Sequence, residues 1–187
     1  MSPQTLNHAG VLAQTRSWLE RAVIGLNLCP FAKGAYIKNQ VHYVVYEGVD
    51  EADFLVLLRE QLVELQACEP QHRDTTLLIA PLVCPEFLDF NAMLVRAQRV
   101  VRKSGLEGVL QLASFHPAYV FADAAPDDMA HYTNRAPFPM LHLLREDSVS
   151  KAVAAYPDAQ EIYGRNMVTL RALGLAGWEA LECGRVA

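Results

Sequence analysis

Apolar residues along the chain alternate between a helical and a strand rhythm. Over residues 11–26, Val11, Leu12, Trp18, Leu19, Ala22, Val23 and Leu26 fall on one stripe, with Arg16, Glu20 and Arg21 on other faces. This spacing predicts an N-terminal helix that docks by one side and stops near Pro30. Residues 41–46, rich in Val and Tyr and closed by Gly48, predict a strand. Asp50 is then placed as the N-cap of a helix carrying Phe54, Leu55, Leu58, Leu62 and Leu65. Residues 76–80 form a short, uniformly apolar strand ending at Pro81, the pattern of a central strand covered on both faces. A helix over 85–104 turns Phe90, Met93, Leu94, Ala97, Val100 and Val101 inward and Arg96, Arg99 and Lys103 outward, and Gly105 is placed to end it. Further strands are predicted at 109–115 and 140–144. After Asp147 or Ser148 as N-cap, one helix runs through Tyr156 and another over 157–173, closed by Gly174.

The first three strands begin at 41, 76 and 109, with one helix between each pair, which is the length of a β-α-β unit. The expected fold is therefore α/β. It is a single domain over 1–187 with a mostly parallel sheet of about four strands, flanked by helices, and an N-terminal docking helix. The irregular stretch from His116 to Pro139 contains Pro117, Pro126, Pro137 and Pro139, and only Tyr119-Val120-Phe121 in it looks strand-like. Structureless loops of that length inside a domain often serve as lids or binding loops, so 117–139 is expected to be one.

Composition narrows the function classes. With 16 basic and 21 acidic residues the net charge is −5, which removes the electrostatic footprint of a nucleic-acid binder and of an anionic-membrane binder. The apolar runs are strand-sized and the N-terminus lacks a secretory pattern, so a cytoplasmic protein is expected. Cys29, Cys68, Cys84 and Cys183 form no C-x-x-C pair and are read as free thiols. P-loop, dinucleotide-binding, nucleophile-elbow and zincin motifs are absent, so no cofactor is assigned. Oligomeric state is left open.

Several residues carry candidate chemistry. His116 directly follows the third strand, and the carboxyl ends of parallel strands form a ligand-binding edge. If the fourth strand is parallel to the third, Arg145 emerges on that same edge. A histidine that exchanges protons near neutral pH, beside a planar cation that grips carboxylate or phosphate, makes a workable acid/base pair. Otherwise His116 simply caps a strand end. Within the long loop, Asn134 and Arg135 sit among prolines that lower the entropy cost of holding a ligand-facing shape. Arg135 either presents its fork to an acidic ligand or pairs with Asp123, Asp127 or Asp128 to hold the loop down. Cys29, before Pro30, is either a thiol activated at a helix start or a small buried residue. Asn166 lies on the inward stripe of its helix with Ile162, Leu170 and Leu173, where its amide either pins backbone or reaches into a pocket. Glu161 and Arg165, four apart, read as a surface pair. A metal site would have to recruit His116, His131 and His142 with Asp127 or Asp128 from separate elements; His142, mid-strand, reads equally as a core histidine.

Taken together, the segments 18–20 (WLE), 26–32 (LNLCPFA), 111–117 (QLASFHP), 134–139 (NRAPFP) and 141–146 (LHLLRE) resemble a bacterial family catalogued as domain of unknown function 1415. The likeness runs from about Trp18 to Gly174 and implies one intact domain, without implying a reaction. The residues themselves suggest an enzyme acting on an anionic small molecule, with His116 as acid or base and Cys29 as an optional nucleophile. Arg135 and Arg145 would clamp the anion, and Asn134 and Asn166 would contact it. The alternatives are a non-catalytic binding or assembly protein exposing apolar rings such as Tyr119, Phe121, Phe138 or Trp178, and a metal-dependent hydrolase.

Overall fold

The segment Thr75–Ile79, two threonines followed by Leu-Leu-Ile, is buried at every position, as a strand with neighbours on both edges and helices on both faces must be. A computed structural model of the chain describes residues 7–156 and 161–183. In chain order the strands are β1 (Val41–Val45), β2 (Thr75–Ile79), β3 (Leu110–Phe115) and β4 (Met140–Arg145). The helices are α1 (His8–Trp18), α2 (Ala32–Ile37), α3 (Glu51–Ala67), α4 (Phe87–Lys103), α5 (Glu146–Ala155) and α6 (Ile162–Ala180).

The strands form one sheet in the order β1-β2-β4-β3. β1 and β2 are parallel, joined through α3, but β4 enters between β2 and β3 and runs antiparallel to both. The fold is thus α/β with a mixed sheet, and the expectation of a mostly parallel one is corrected. The content of the connection, not its length, explains the difference. The 24 residues from 116 to 139 contain no helix long enough to cover a sheet face, so the chain turns back beside β3 instead of crossing over.

Two-residue alternation divides the sheet's side chains between two cores. Leu78, Leu141, Leu143 and Leu110 meet Phe54, Leu58, Leu62 and Leu65 of α3 and Phe90, Met93 and Ala97 of α4 on one face. Leu77, Ile79 and Met140 meet Val11, Trp18, Leu19, Ala22 and Val23 on the other. Each fully buried large side chain, such as Phe54 or Leu62, contributes roughly 1.5–3 kcal/mol of transfer free energy. Asp50 caps α3 by accepting a hydrogen bond from the Asp53 N–H at 2.9 Å, where the sequence placed it. α5 instead begins at Glu146, ahead of the expected cap at 147 or 148, because the chain leaves β4 directly into it.

The docking helix is not uniform. After Trp18 it continues as π-helix over Leu19–Ile24, and the Gly25 N–H bonds the Glu20 carbonyl five residues back. The wide turn keeps Leu19, Ala22 and Val23 on the sheet and leaves Leu26 half-buried outside that core. Gly25 closes it because a Cβ there would lie 2.2 Å from the Arg21 carbonyl oxygen. The stop expected at Gly174 is present as a break inside α6, where that residue adopts φ 65°. The predicted start of the last helix, at 157, lies outside the described residues. No helix among the described residues is long and apolar enough to cross a membrane.

Candidate functional site

His116 does follow β3, but it is sealed rather than presented. It is only 1% exposed, packed against the Phe87 and Phe90 rings of α4 with centroids 5.5 and 5.0 Å away. Its Nδ1 accepts the Ala118 N–H at 3.1 Å, and its Nε2 therefore donates to the Cys84 carbonyl at 3.2 Å. Both nitrogens are committed in one neutral tautomer. Burial pushes its pKa below the ordinary histidine value, against the pull of the Cys84 and Pro85 backbone and of Glu86.

The loop from 117 to 139 is tied down along its length. It carries one short 3-10 turn, Met129–Thr133, and no strand at Tyr119-Val120-Phe121. Asn134 donates its side-chain amide to the Ser114 carbonyl at 3.1 Å, and its own carbonyl accepts the His116 N–H. The Arg135 carbonyl accepts from the Trp18 indole at 2.9 Å, and its guanidinium donates to the Tyr119 carbonyl while lying 4.3 Å from the Tyr132 ring centre. Of the acidic partners expected for Arg135, Asp128 pairs instead with Arg171 of α6, which holds the Asp128 carboxyl down to about 2. His131, weighed only as a metal ligand, is fully buried and repeats the His116 pattern, accepting from the Phe121 N–H and donating to the Ala125 carbonyl at 2.8 Å. Its one signal in sequence is that a long loop without strands must find partners for its backbone elsewhere.

Arg145 is on the opposite edge of the sheet. Antiparallel pairing sets Phe115 beside Met140 and Leu110 beside Arg145, so the end of β4 lies at the start of β3. Its Nη2 donates to the carbonyls of Leu65 and Cys68, both at 2.5 Å, and of Arg73 at 3.0 Å. The expected pairing of Arg145 with His116 is therefore corrected: the two residues close different ends of the sheet.

Two candidates remain, Asn166 and Cys29. Asn166, 6% exposed on α6, donates to the Leu28 carbonyl at 2.8 Å and so fastens α6 to the turn after the π-helical segment. Next to this contact lies a cleft of about 110 Å³, lined by Leu26, Asn27, Pro30, Tyr156, Ile162, Arg165, Asn166 and Thr169. Asn27 takes the left-handed conformation, φ 53°, that an asparagine tolerates at such a turn. The Arg165 guanidinium stands 5.2 Å from the Tyr156 ring centre. Sequence reasoning singled out Asn166 for the site at His116 and did not foresee this cleft or its Asn27, Tyr156, Arg165 and Thr169, whose convergence depends on how α6 packs. Cys29 is half-buried against the α1-side core, and burial raises its thiol pKa over the opposing Phe31 and Ala32 N–H groups. That is the reverse of an activated nucleophile. Substituting Asn166→Ala leaves the Leu28 carbonyl without its partner and is expected to lower stability by about 1–2 kcal/mol, read as a shifted urea midpoint.

The third histidine, His142, faces Thr75, whose hydroxyl lies 2.6 Å from both Nε2 and the Leu143 carbonyl. With the hydroxyl proton on that carbonyl, Nε2 must donate, so His142 too is neutral. Among the described residues no three His, Cys, Asp or Glu side chains are grouped to hold a metal ion. No curated protein and no solved structure matches the chain. A family model described as "Protein of unknown function (DUF1415)" matches residues 10–180, nearly the whole length, and on that match the chain belongs to the DUF1415 family.

Proposed function

We propose that the protein binds a small anionic molecule, and that its site is the cleft between the 26–30 turn and α6 rather than the edge of the sheet at His116. The observation that carries this reading is the mixed lining of the cleft. Arg165 supplies positive charge, Thr169 a hydroxyl and Asn27 and Asn166 amides, against an apolar wall of Leu26, Pro30 and Ile162. Concave, largely apolar surfaces with a few convergent polar groups are the usual form of a ligand site. Its volume of about 110 Å³ suits a short carboxylate or a phosphate. An acid/base role for His116 is not part of the proposal, since both its ring nitrogens are occupied. Among the rings that an assembly surface would expose, Phe138 is 8% exposed and Trp178 packs on Tyr132, which favours the cleft over the assembly alternative.

The test is a titration of 15N-labelled protein with acetate, succinate and inorganic phosphate at constant ionic strength. Saturating shifts at Asn27, Arg165, Asn166 and Thr169, lost in Arg165→Gln, are expected at millimolar concentrations. Absence of such shifts, or shifts that persist in Arg165→Gln, overturns the proposal.

A further inference from the structure

We propose that the protein pairs with a second copy of itself by adding β1 to β1 in antiparallel orientation, so that one sheet runs through both copies. β1 is an edge of the sheet, and its parallel neighbour fixes which of its main-chain groups are used. The Thr75 N–H bonds the Gln40 carbonyl and the Tyr46 N–H bonds the Ile79 carbonyl, so the main-chain groups of His42 and Val44 are directed at β2. Those of Val41, Tyr43 and Val45 point away from the sheet, and no hydrogen bond among the described residues reaches them. The opposite edge is guarded. On β3 the bond from the Glu146 N–H to the Val109 carbonyl turns Leu110, Leu112 and Ser114 outward. There the Leu106 carbonyl takes the Leu110 N–H, and the Asn134 amide takes the Ser114 carbonyl. β1 has none of the usual protections against strand addition: residues 41–45 include no proline, glycine or lysine, and their register against β2 is unbroken.

The occupant is a second copy because β1 is complementary to itself. A two-fold axis at Tyr43 sets the two Tyr43 residues opposite each other and Val41 opposite Val45 of the second copy. In that register all three outward residues of each strand exchange bonds, about six in total, whereas a slip by two residues leaves some of them unpaired. The ends of the strand match in the same arrangement. The approach to β1 carries Lys38, and its exit carries Glu47, which meets His8 through Oε1. Antiparallel pairing lays each approach beside the other copy's exit, so cation meets carboxylate, while a parallel addition would set like charges together. Ile37, 66% exposed before the strand, and Val49, 73% exposed after it, come to the same two ends. None of these residues lines the cleft beside α6, so pairing is independent of ligand binding there.

Sedimentation equilibrium on the full chain is expected to show a monomer–dimer equilibrium with the dimer populated below about 1 mM protein. Residue-resolved amide hydrogen exchange then identifies the surface. His42 and Val44, bonded to β2, are protected at every concentration. Val41, Tyr43 and Val45 exchange freely in dilute protein and gain roughly tenfold or more in protection as the dimer fills. Lys38→Glu and Glu47→Lys, both surface changes, are each expected to weaken dimerisation roughly fivefold, and the double variant, with the charges exchanged, to restore it. The proposal is overturned by a protein that stays monomeric at about 1 mM. It is equally overturned by a dimer in which Val41, Tyr43 and Val45 remain unprotected, or by charge variants that dimerise as the native protein does.

Discussion

Replacing Arg145 by methionine is expected to lower the unfolding free energy by about 3 kcal/mol, a large effect for a single polar side chain. The guanidinium is the common partner of three carbonyls that the fold brings together from the end of α3 and the segment leading into β2. Two of them, at Leu65 and Cys68, belong to the C-terminal turn of α3, where unpaired carbonyls give the helix its negative end. Methionine fills similar space but donates no hydrogen bond, so several acceptors lose their partner at once. Lysine restores charge without the planar fork and should recover only part of the loss. Urea unfolding followed by circular dichroism measures it. A change below about 1 kcal/mol would mean that water satisfies these carbonyls and that Arg145 is dispensable to the fold.

Acid should destabilise the protein from about pH 6.5 downwards. Burial pushes the His142 pKa from 6.5 to about 4, so the folded state holds this imidazole neutral where the unfolded chain protonates it. The sign follows from proton binding. Below pH 6.5 the unfolded chain takes up the proton first, so the stabilisation is complete above that value and lost as pH falls towards 4. The loss over this window is about 3 kcal/mol for His142, and the depressed pKa of His116 adds to it in the same direction. Asp128, held down to about 2 by Arg171, contributes only at still lower pH. Unfolding free energies measured at intervals across the window should therefore decline steadily, and His142→Leu should remove most of the slope. A flat profile in the native protein, or an unchanged slope in the variant, would contradict the role given to His142.

The legibility of the chain follows from the range of the forces involved. Helix and strand positions are set by periodicity over a few residues. Asp50 as a cap, the break at Gly174 and the central, doubly covered β2 are accordingly legible in the local pattern of residues. Hydrophobic alternation also allots most core residues to their elements. The π-helical winding of Leu19–Ile24 is not legible, because the same stripe of Trp18, Leu19, Ala22 and Val23 serves an α-helix equally well. Nor does any local pattern distinguish His116 at a site from His116 as a fastening. The difference lies in Phe87, Phe90 and the Cys84 carbonyl, all contributed by another part of the chain.

Sequence alone determined an α/β chain, the apolar faces of its elements and the residue types available for chemistry, since burial of apolar faces dominates those choices and is encoded in spacing. Tertiary structure decided the direction of β4 and, with it, the fate of every candidate near the sheet. Met140–Arg145 is apolar on both faces and reads the same in either direction, and inward alternation carries no arrow. The antiparallel choice sent Arg145 to the far edge, turned the 116–139 segment into a fastened loop over β3, and left the meeting of Asn27, Arg165 and Asn166 to the packing of α6 against a turn more than a hundred residues away.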